Sequence, residues 1–126
     1  MLSDKDPIAT VAVQDIKAAR SFYEGTLGLK LVHSEGEEAF SYQAGKSQVL
    51  VYRSQFARTN KATAVTWIVG KDIDGIVRAL KAKGVTFERY DMPGMKLDGD
   101  IYSGGGLRNA WFKDPDGNIH ALVSAG

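Results

Sequence analysis

Short runs of β-branched and aromatic residues alternate along this chain with helix-spaced apolar positions, and the order of the pieces occurs twice. Ile8 to Val13 is β-prone. Asp15 then caps a helix whose Ile16, Ala19, Phe22 and Tyr23 fall three and four residues apart on one face, and Gly28 closes it. Three strands are predicted next, Leu29–Ser34, Ala39–Gln43 and Gln48–Tyr52, separated by turns at Glu35-Gly36-Glu37 and Ala44-Gly45-Lys46. The polar stretch from Arg53 to Lys61 connects this copy to the next.

In the second copy Ala64 to Val69 is β-prone, Asp72 or a neighbour begins a helix, and Ile73, Ile76, Val77 and Leu80 form its apolar face. Lys81 and Lys83 sit in the last turn, where cations suit the helix dipole, and Gly84 ends it. Val85–Arg89 reads as a strand, followed by a Gly-rich stretch from Asp91 to Gly106. Asn109–Lys113 and Ile119–Ser124 form a closing hairpin around Asp114-Pro115-Asp116-Gly117-Asn118. There Pro115 presets φ, the aspartates bond nearby N–H groups, and Gly117 accepts the positive φ. Val13 matches Val69, Asp15 matches Asp72, Arg20 matches Arg78 and Gly28 matches Gly84, an offset constant to within a residue or two. The chain is thus a duplication of one β-α-β-β-β unit.

Composition narrows the function classes. A chain of 126 residues with 44% hydrophobic content holds one core and is read as a single domain, residues 1–126, with module 1 at about 7–53 and module 2 at about 62–125. Sixteen Lys and Arg against 15 Asp and Glu leave no basic footprint for nucleic acid. The absence of cysteine excludes disulfides, thiolate metal sites and cysteine nucleophiles. The polar N-terminus has no signal-peptide core, and no run approaches the roughly 18 apolar residues of a membrane span. The expected location is the cytoplasm, without membrane or nucleic-acid partners.

The duplicated unit, Val11-Ala12-Val13-Gln14-Asp15-Ile16 with Ser21-Phe22-Tyr23 and Leu27-Gly28-Leu29, and the closing Phe112 to Asn118 hairpin together resemble the vicinal oxygen chelate superfamily. That group contains glyoxalase I, the bleomycin-resistance proteins and the extradiol dioxygenases. The resemblance implies an α+β fold of two tandem βαβββ modules whose sheets curl around a shared cavity, helices outside. It also implies a homodimer. Metal-dependent members place His or Glu at four strand positions. Carried over, these fall at Ile8, Leu50, Ala64 (Val65 if the register slips by one) and Ala121, none of which has a coordinating lone pair. His120 neighbours Ala121 but points to the opposite face, so it is expected in a semi-buried slot under a helix. His33 lies at a strand end, with no carboxylate partner from a strand interior. No metal and no other cofactor is expected.

Given the family's cavity-inside arrangement, alternation turns Thr10, Gln48, Leu50, Tyr52, Thr66, Ala121, Asn109 and Trp111 inward, and Tyr42 joins them as a candidate. Val11, Val13, Val49, Val51, Trp67 and Val69 go under the helices. The result is a mostly apolar pocket with a few hydroxyl, amide and phenol groups, suited to a small organic molecule. Asp91–Gly106 reads as a lid, with Met92 and Met95 as an adaptable apolar cover. Its Gly104-Gly105-Gly106 lacks the Lys-Ser/Thr and the helix of a phosphate loop.

Three functions fit, in this order. The first is metal-independent binding of a small, largely apolar or aromatic molecule. Bleomycin itself fits poorly, since a trap for that cation should be strongly acidic. The second is an enzyme of lyase, isomerase or dioxygenase type with a non-standard or absent metal site, using Tyr52, His33 or a lid carboxylate such as Asp98 or Asp100 as acid or base. The third is a divalent-metal enzyme, against which the four apolar ligand positions argue.

Overall fold

The computed structural model describes residues 1–125, which form two units, one over Met1–Thr59 and one beginning at Asn60. In the first unit β1 (Ala9–Val13) leads to α1 (Ile16–Arg20), which runs into a π-helical turn (Ser21–Thr26). The strands β2 (Lys30–Glu35), β3 (Ala39–Ala44) and β4 (Ser47–Arg53) follow, and the sheet order is β1-β4-β3-β2 with β1 parallel to β4 and the other pairs antiparallel. Asp15 caps α1, its carboxylate accepting from the Ala18 N–H at 3.0 Å. The widened turn is visible in Leu27 N–H to Phe22 C=O and Leu29 N–H to Tyr23 C=O, both 2.9 Å.

Alternation divides this sheet cleanly. Val11, Val13, Phe40, Tyr42, Val49 and Val51 are buried on the helix side with Ala19 and Tyr23. The expected strands in this copy agree with β2, β3 and β4 to within a residue or two at each end.

The second unit has β5 (Thr63–Ile68), a 3₁₀ turn at Gly70–Asp72, α2 (Ile73–Ala82), β6 (Lys96–Asp98), β7 (Ile101–Gly104), β8 (Leu107–Lys113) and β9 (Ile119–Ala125). The sheet order is β5-β9-β8-β7-β6, parallel only between β5 and β9. Ile73, Val77 and Leu80 are the buried face of α2. The helix stops in a Schellman arrangement, Gly84 N–H to Lys81 C=O and Val85 N–H to Leu80 C=O, both 3.0 Å, with Gly84 at φ +92°. The β8–β9 hairpin closes as expected. Asp114 Oδ1 accepts from the N–H of Asp116 (2.9 Å) and of Asn118 (2.8 Å), and Gly117 sits at φ +83°.

Two expectations change here. Val85–Arg89 is not a strand. Its backbone meets β8 through the isolated pair Phe87–Phe112 and the bond from Glu88 N–H to Trp111 C=O at 2.7 Å, because β7 occupies the Leu107–Asn109 part of the same edge. The strand that plays the part of β2 in this copy is therefore β7. Nor is Asp91–Gly106 an irregular loop throughout. Its second half folds into the β6–β7 hairpin, and the Met92–Met95 turn lies against Gly104, where an added Cβ would come 2.8 Å from the Gly94 carbonyl. Gly104 permits that close approach, and Met92 and Met95 belong to a turn packed within the segment.

Candidate functional site

Each sheet has a second face, turned away from its helix. In the first unit, paired residues share a face, so Thr10, Leu50, Ser41 and His33 form one row across the four strands, and Ala12, Tyr52, Ala39 and Glu35 form the next. Gln48 joins them through its pairing with Gln43. Thr10, Gln48, Leu50 and Tyr52 therefore share the open face.

Tyr42 does not join them. It pairs with Val49, is fully buried on the helix side, stacks on Tyr23 at 6.0 Å and donates from its hydroxyl to Glu24 at 2.9 Å. Period-two alternation from Gln48, Leu50 and Tyr52 across the hairpin to β3 assigns this side, and the notion that a phenol belongs in a polar cavity misleads. Burial first, then the Glu24 contact, raises the Tyr42 pKa. Arg20 holds Glu24 as a carboxylate below its ordinary range.

His33 is exposed, and its carboxylate neighbour comes from the end of its own strand. A bulge between Leu31 and His33 sets it on the open face, and the next-but-one residue of the same strand, Glu35, meets its Nε2 at 2.7 Å. Glu35 reads from sequence as part of a turn. In the structure it is the last residue of β2, which is why this carboxylate partner is not evident from spacing alone.

In the second unit Thr66, Ala121 and Trp111 form a row, and Ile68, Val123, Asn109, Tyr102 and Leu97 form the adjacent one. Thr66, Asn109, Trp111 and Ala121 thus share one face, on which Ile68 is 79% exposed. Trp111 is half-buried and receives two aromatic neighbours edge-on, Tyr90 and Tyr102, each with ring centres 5.5 Å away. The Tyr102 hydroxyl bonds both backbone groups of Tyr90, accepting from N–H at 2.8 Å and donating to C=O at 3.0 Å. Tyr90 Oη and Asn109 Oδ1 are buried without a hydrogen-bond partner among the described residues. Burial, then the nearby Glu88 charge, raises the Tyr90 pKa, so this phenol keeps its proton at neutral pH.

Sequence reasoning did not single out Tyr90 and Tyr102.

The other side of this sheet is core. His120 is fully buried there, stacked on Phe112 at 4.9 Å, and its Nδ1 accepts from the Trp67 indole N–H at 3.0 Å. Burial pushes its pKa down to about 4, so it stays neutral. Asp100, a candidate acid or base, is tied up as an ion. Lys81 Nζ lies 2.6 Å and Arg89 2.8 Å away, and these cations, Lys81 first, keep it below the ordinary carboxylate range. Asp98 ends the exposed strand β6.

The residues do not fit the metal that the resemblance implies. Leu50 and Ala121 present alkyl groups to the open faces, and Val65 is buried opposite His120 on the helix side. The open-face neighbour of Val65 is Thr66, whose neutral hydroxyl is a poor ligand beside imidazole or carboxylate. Among the described residues no three His, Asp or Glu side chains gather around one point.

One further concavity, of about 510 Å³, lies on the helix side of the first unit between Ile16, Arg20, Glu24, Glu37 and Phe40. Arg20 is already bound there. It pairs with Glu24 at 2.7 Å and lies over the Phe40 ring at 5.0 Å, so its charge is spent within the fold.

Comparison with known proteins matches residues 6–122 to the model of the Glyoxalase/Bleomycin resistance protein/Dioxygenase superfamily. The chain is similar in fold to a glyoxalase family protein from Enterococcus faecalis, with 19% identity and TM-score 0.73, covering 98% of this chain and 100% of that one. It is similar to the fosfomycin resistance protein FosX from Listeria monocytogenes at 15% identity and TM-score 0.74, covering 100% and 96%. A third is lactoylglutathione lyase from Agrobacterium tumefaciens, with 14% identity, TM-score 0.69, and 95% and 93% covered. No curated protein matches the chain. No helix among the described residues is long and apolar enough to cross a membrane.

Proposed function

The chain belongs to the glyoxalase/bleomycin resistance protein/dioxygenase superfamily, and from that premise we propose that it binds a small, largely apolar or aromatic organic molecule on its open sheet faces, without a metal ion. The observation that carries this reading is Trp111. It lies beside Ala121 and Thr66 with Tyr90 and Tyr102 against its edges, on a face that offers apolar area and few polar groups. Alkyl groups at Leu50 and Ala121 support metal independence, because they replace donors with surface suited to hydrocarbon. Binding then removes the molecule from solution without altering it.

A second reading is favoured by the 2.7 Å contact of His33 with Glu35 on the open face of the first sheet. A carboxylate-oriented imidazole is a general base, and it would make the chain a metal-independent enzyme of lyase, isomerase or dioxygenase type. We further propose a cytoplasmic homodimer, supported by the exposed Ile68 on edge strand β5.

The test is native mass spectrometry on protein purified without chelator from medium supplied with iron, zinc, nickel and manganese. A metal-free species carrying an organic mass is expected. A stoichiometric metal adduct would overturn the reading.

A further inference from the structure

Two buried polar atoms on the open face of the second sheet lack partners, and they lie around one aromatic centre. Asn109 and Trp111 are two residues apart on β8, so their side chains project from the same face about 7 Å apart. Tyr102 pairs across from Asn109 and touches Trp111, while Tyr90 touches Trp111 from the segment before β6. Tyr90 Oη and Asn109 Oδ1 thus share the neighbours Trp111 and Tyr102, and neither has a hydrogen-bond partner among the described residues.

Each such atom has given up its hydrogen bonds to water and gained none in the fold, which is costly. A purely structural cluster would be better served by Phe and Leu at these positions. Tyr102 illustrates the contrast, for its hydroxyl is doubly bonded to the Tyr90 backbone. That hydroxyl holds the Tyr90 backbone in place, so the phenol adjusts to a guest by side-chain rotation.

We infer that the molecule bound beside Trp111 is a flat aromatic bearing a hydroxyl or amino donor, which Asn109 Oδ1 accepts while the Tyr90 hydroxyl pairs with the same substituent. This rests on the binding reading above and gives it a chemical class. An apolar ring alone leaves both atoms unmatched, whereas a ring with one donor satisfies them together. The Tyr90 phenol can donate or accept, and the carboxamide oxygen only accepts, so the donor on the guest is the discriminating feature.

The probes are 2-naphthol and its near-isostere 2-methylnaphthalene, titrated calorimetrically into the full chain. The indole N–H resonance of Trp111, assigned with Trp111→Phe, reports where each one lands. Wild type should bind 2-naphthol roughly 10-fold more tightly or better, with the Trp111 signal shifting. In Tyr90→Phe and Asn109→Leu the two probes should bind within about 3-fold of each other. Both variants should resist urea as well as wild type or better, because each removes an unmatched atom; marked destabilisation would show a structural role and overturn the inference. Equal binding of the two probes to wild type overturns it and leaves the binding reading standing. A preference for naphthol without a Trp111 shift also overturns it. If neither probe binds, both the inference and the binding reading fall.

Discussion

Protonation of His120 is the most sharply defined perturbation the structure offers. The ring lies between Trp67, at 6.1 Å and 15°, and Phe112, at 4.9 Å and 10°. Its Nδ1 is occupied by the Trp67 indole N–H, so an incoming proton must break that bond as well as place a charge in the core. The folded chain therefore binds this proton only near about pH 4, whereas an unfolded imidazole binds it near 6.5.

The sign follows from proton counting. Above about pH 6.5 both states are neutral and His120 has no pH effect. Between about 6.5 and 4 the unfolded chain takes up the proton and the folded chain does not, so stability falls as pH falls and levels off below about 4. At about 1.4 kcal/mol per pH unit the full loss is roughly 3.4 kcal/mol, and about 2 kcal/mol of it is reached by about pH 5.

The assay is urea unfolding followed by circular dichroism at about pH 7.5 and about pH 5, on wild type and on His120→Gln. The amide supplies an acceptor for Trp67 but does not titrate. The variant has a lower absolute stability through lost ring packing, yet it retains His33 and every carboxylate, so the difference between the two pH-induced losses isolates His120. Wild type should lose about 2 kcal/mol more than the variant over this range. Equal losses would refute the neutral, buried assignment.

Other consequences can be checked by the same unfolding measurement. Gly104→Ala should cost about 1–3 kcal/mol, since the new methyl would come 2.8 Å from the Gly94 carbonyl and the docked turn must shift to admit it. Asp114→Ala strips the acceptor from the Asp116 and Asn118 N–H groups and should cost about 2–4 kcal/mol, with a loss near zero refuting the hairpin geometry. Tyr42→Phe should cost about 1–2 kcal/mol by removing the hydrogen bond to Glu24 and should leave binding of 2-naphthol unchanged, because Tyr42 lies on the helix side. Light scattering across a range of concentrations tests the homodimer, and a mass equal to one chain throughout would dismiss it.

The repeated order of elements was legible in the chain because its signals are local. Asp15 caps its own helix, Gly28 and Gly84 accept the positive φ that ends theirs, and the Asp114–Asn118 turn bonds within itself. Strand alternation likewise sorted Val11, Val49 and Trp67 from Thr10, Leu50 and Trp111, since a period of two leaves only one assignment once a single face is buried. The absence of metal donors at Ile8, Leu50, Ala64 and Ala121 needed nothing beyond residue identity and the family resemblance.

Tertiary structure alone decided what depends on competition for an edge or a neighbour. Val85–Arg89 has the composition of a strand, but β7 had already taken part of the β8 edge it needed. Asp91–Gly106 has the glycines of an irregular loop, but Gly104 lets the Met92–Met95 turn dock where any side chain would obstruct it. The place of His33 on the open face came from a bulge against β3, and the gathering of Tyr90, Tyr102 and Asn109 around Trp111 came from three segments brought together by the sheet. Each joins residues whose relation is set by pairing between strands, and that register is not carried by any one stretch of sequence.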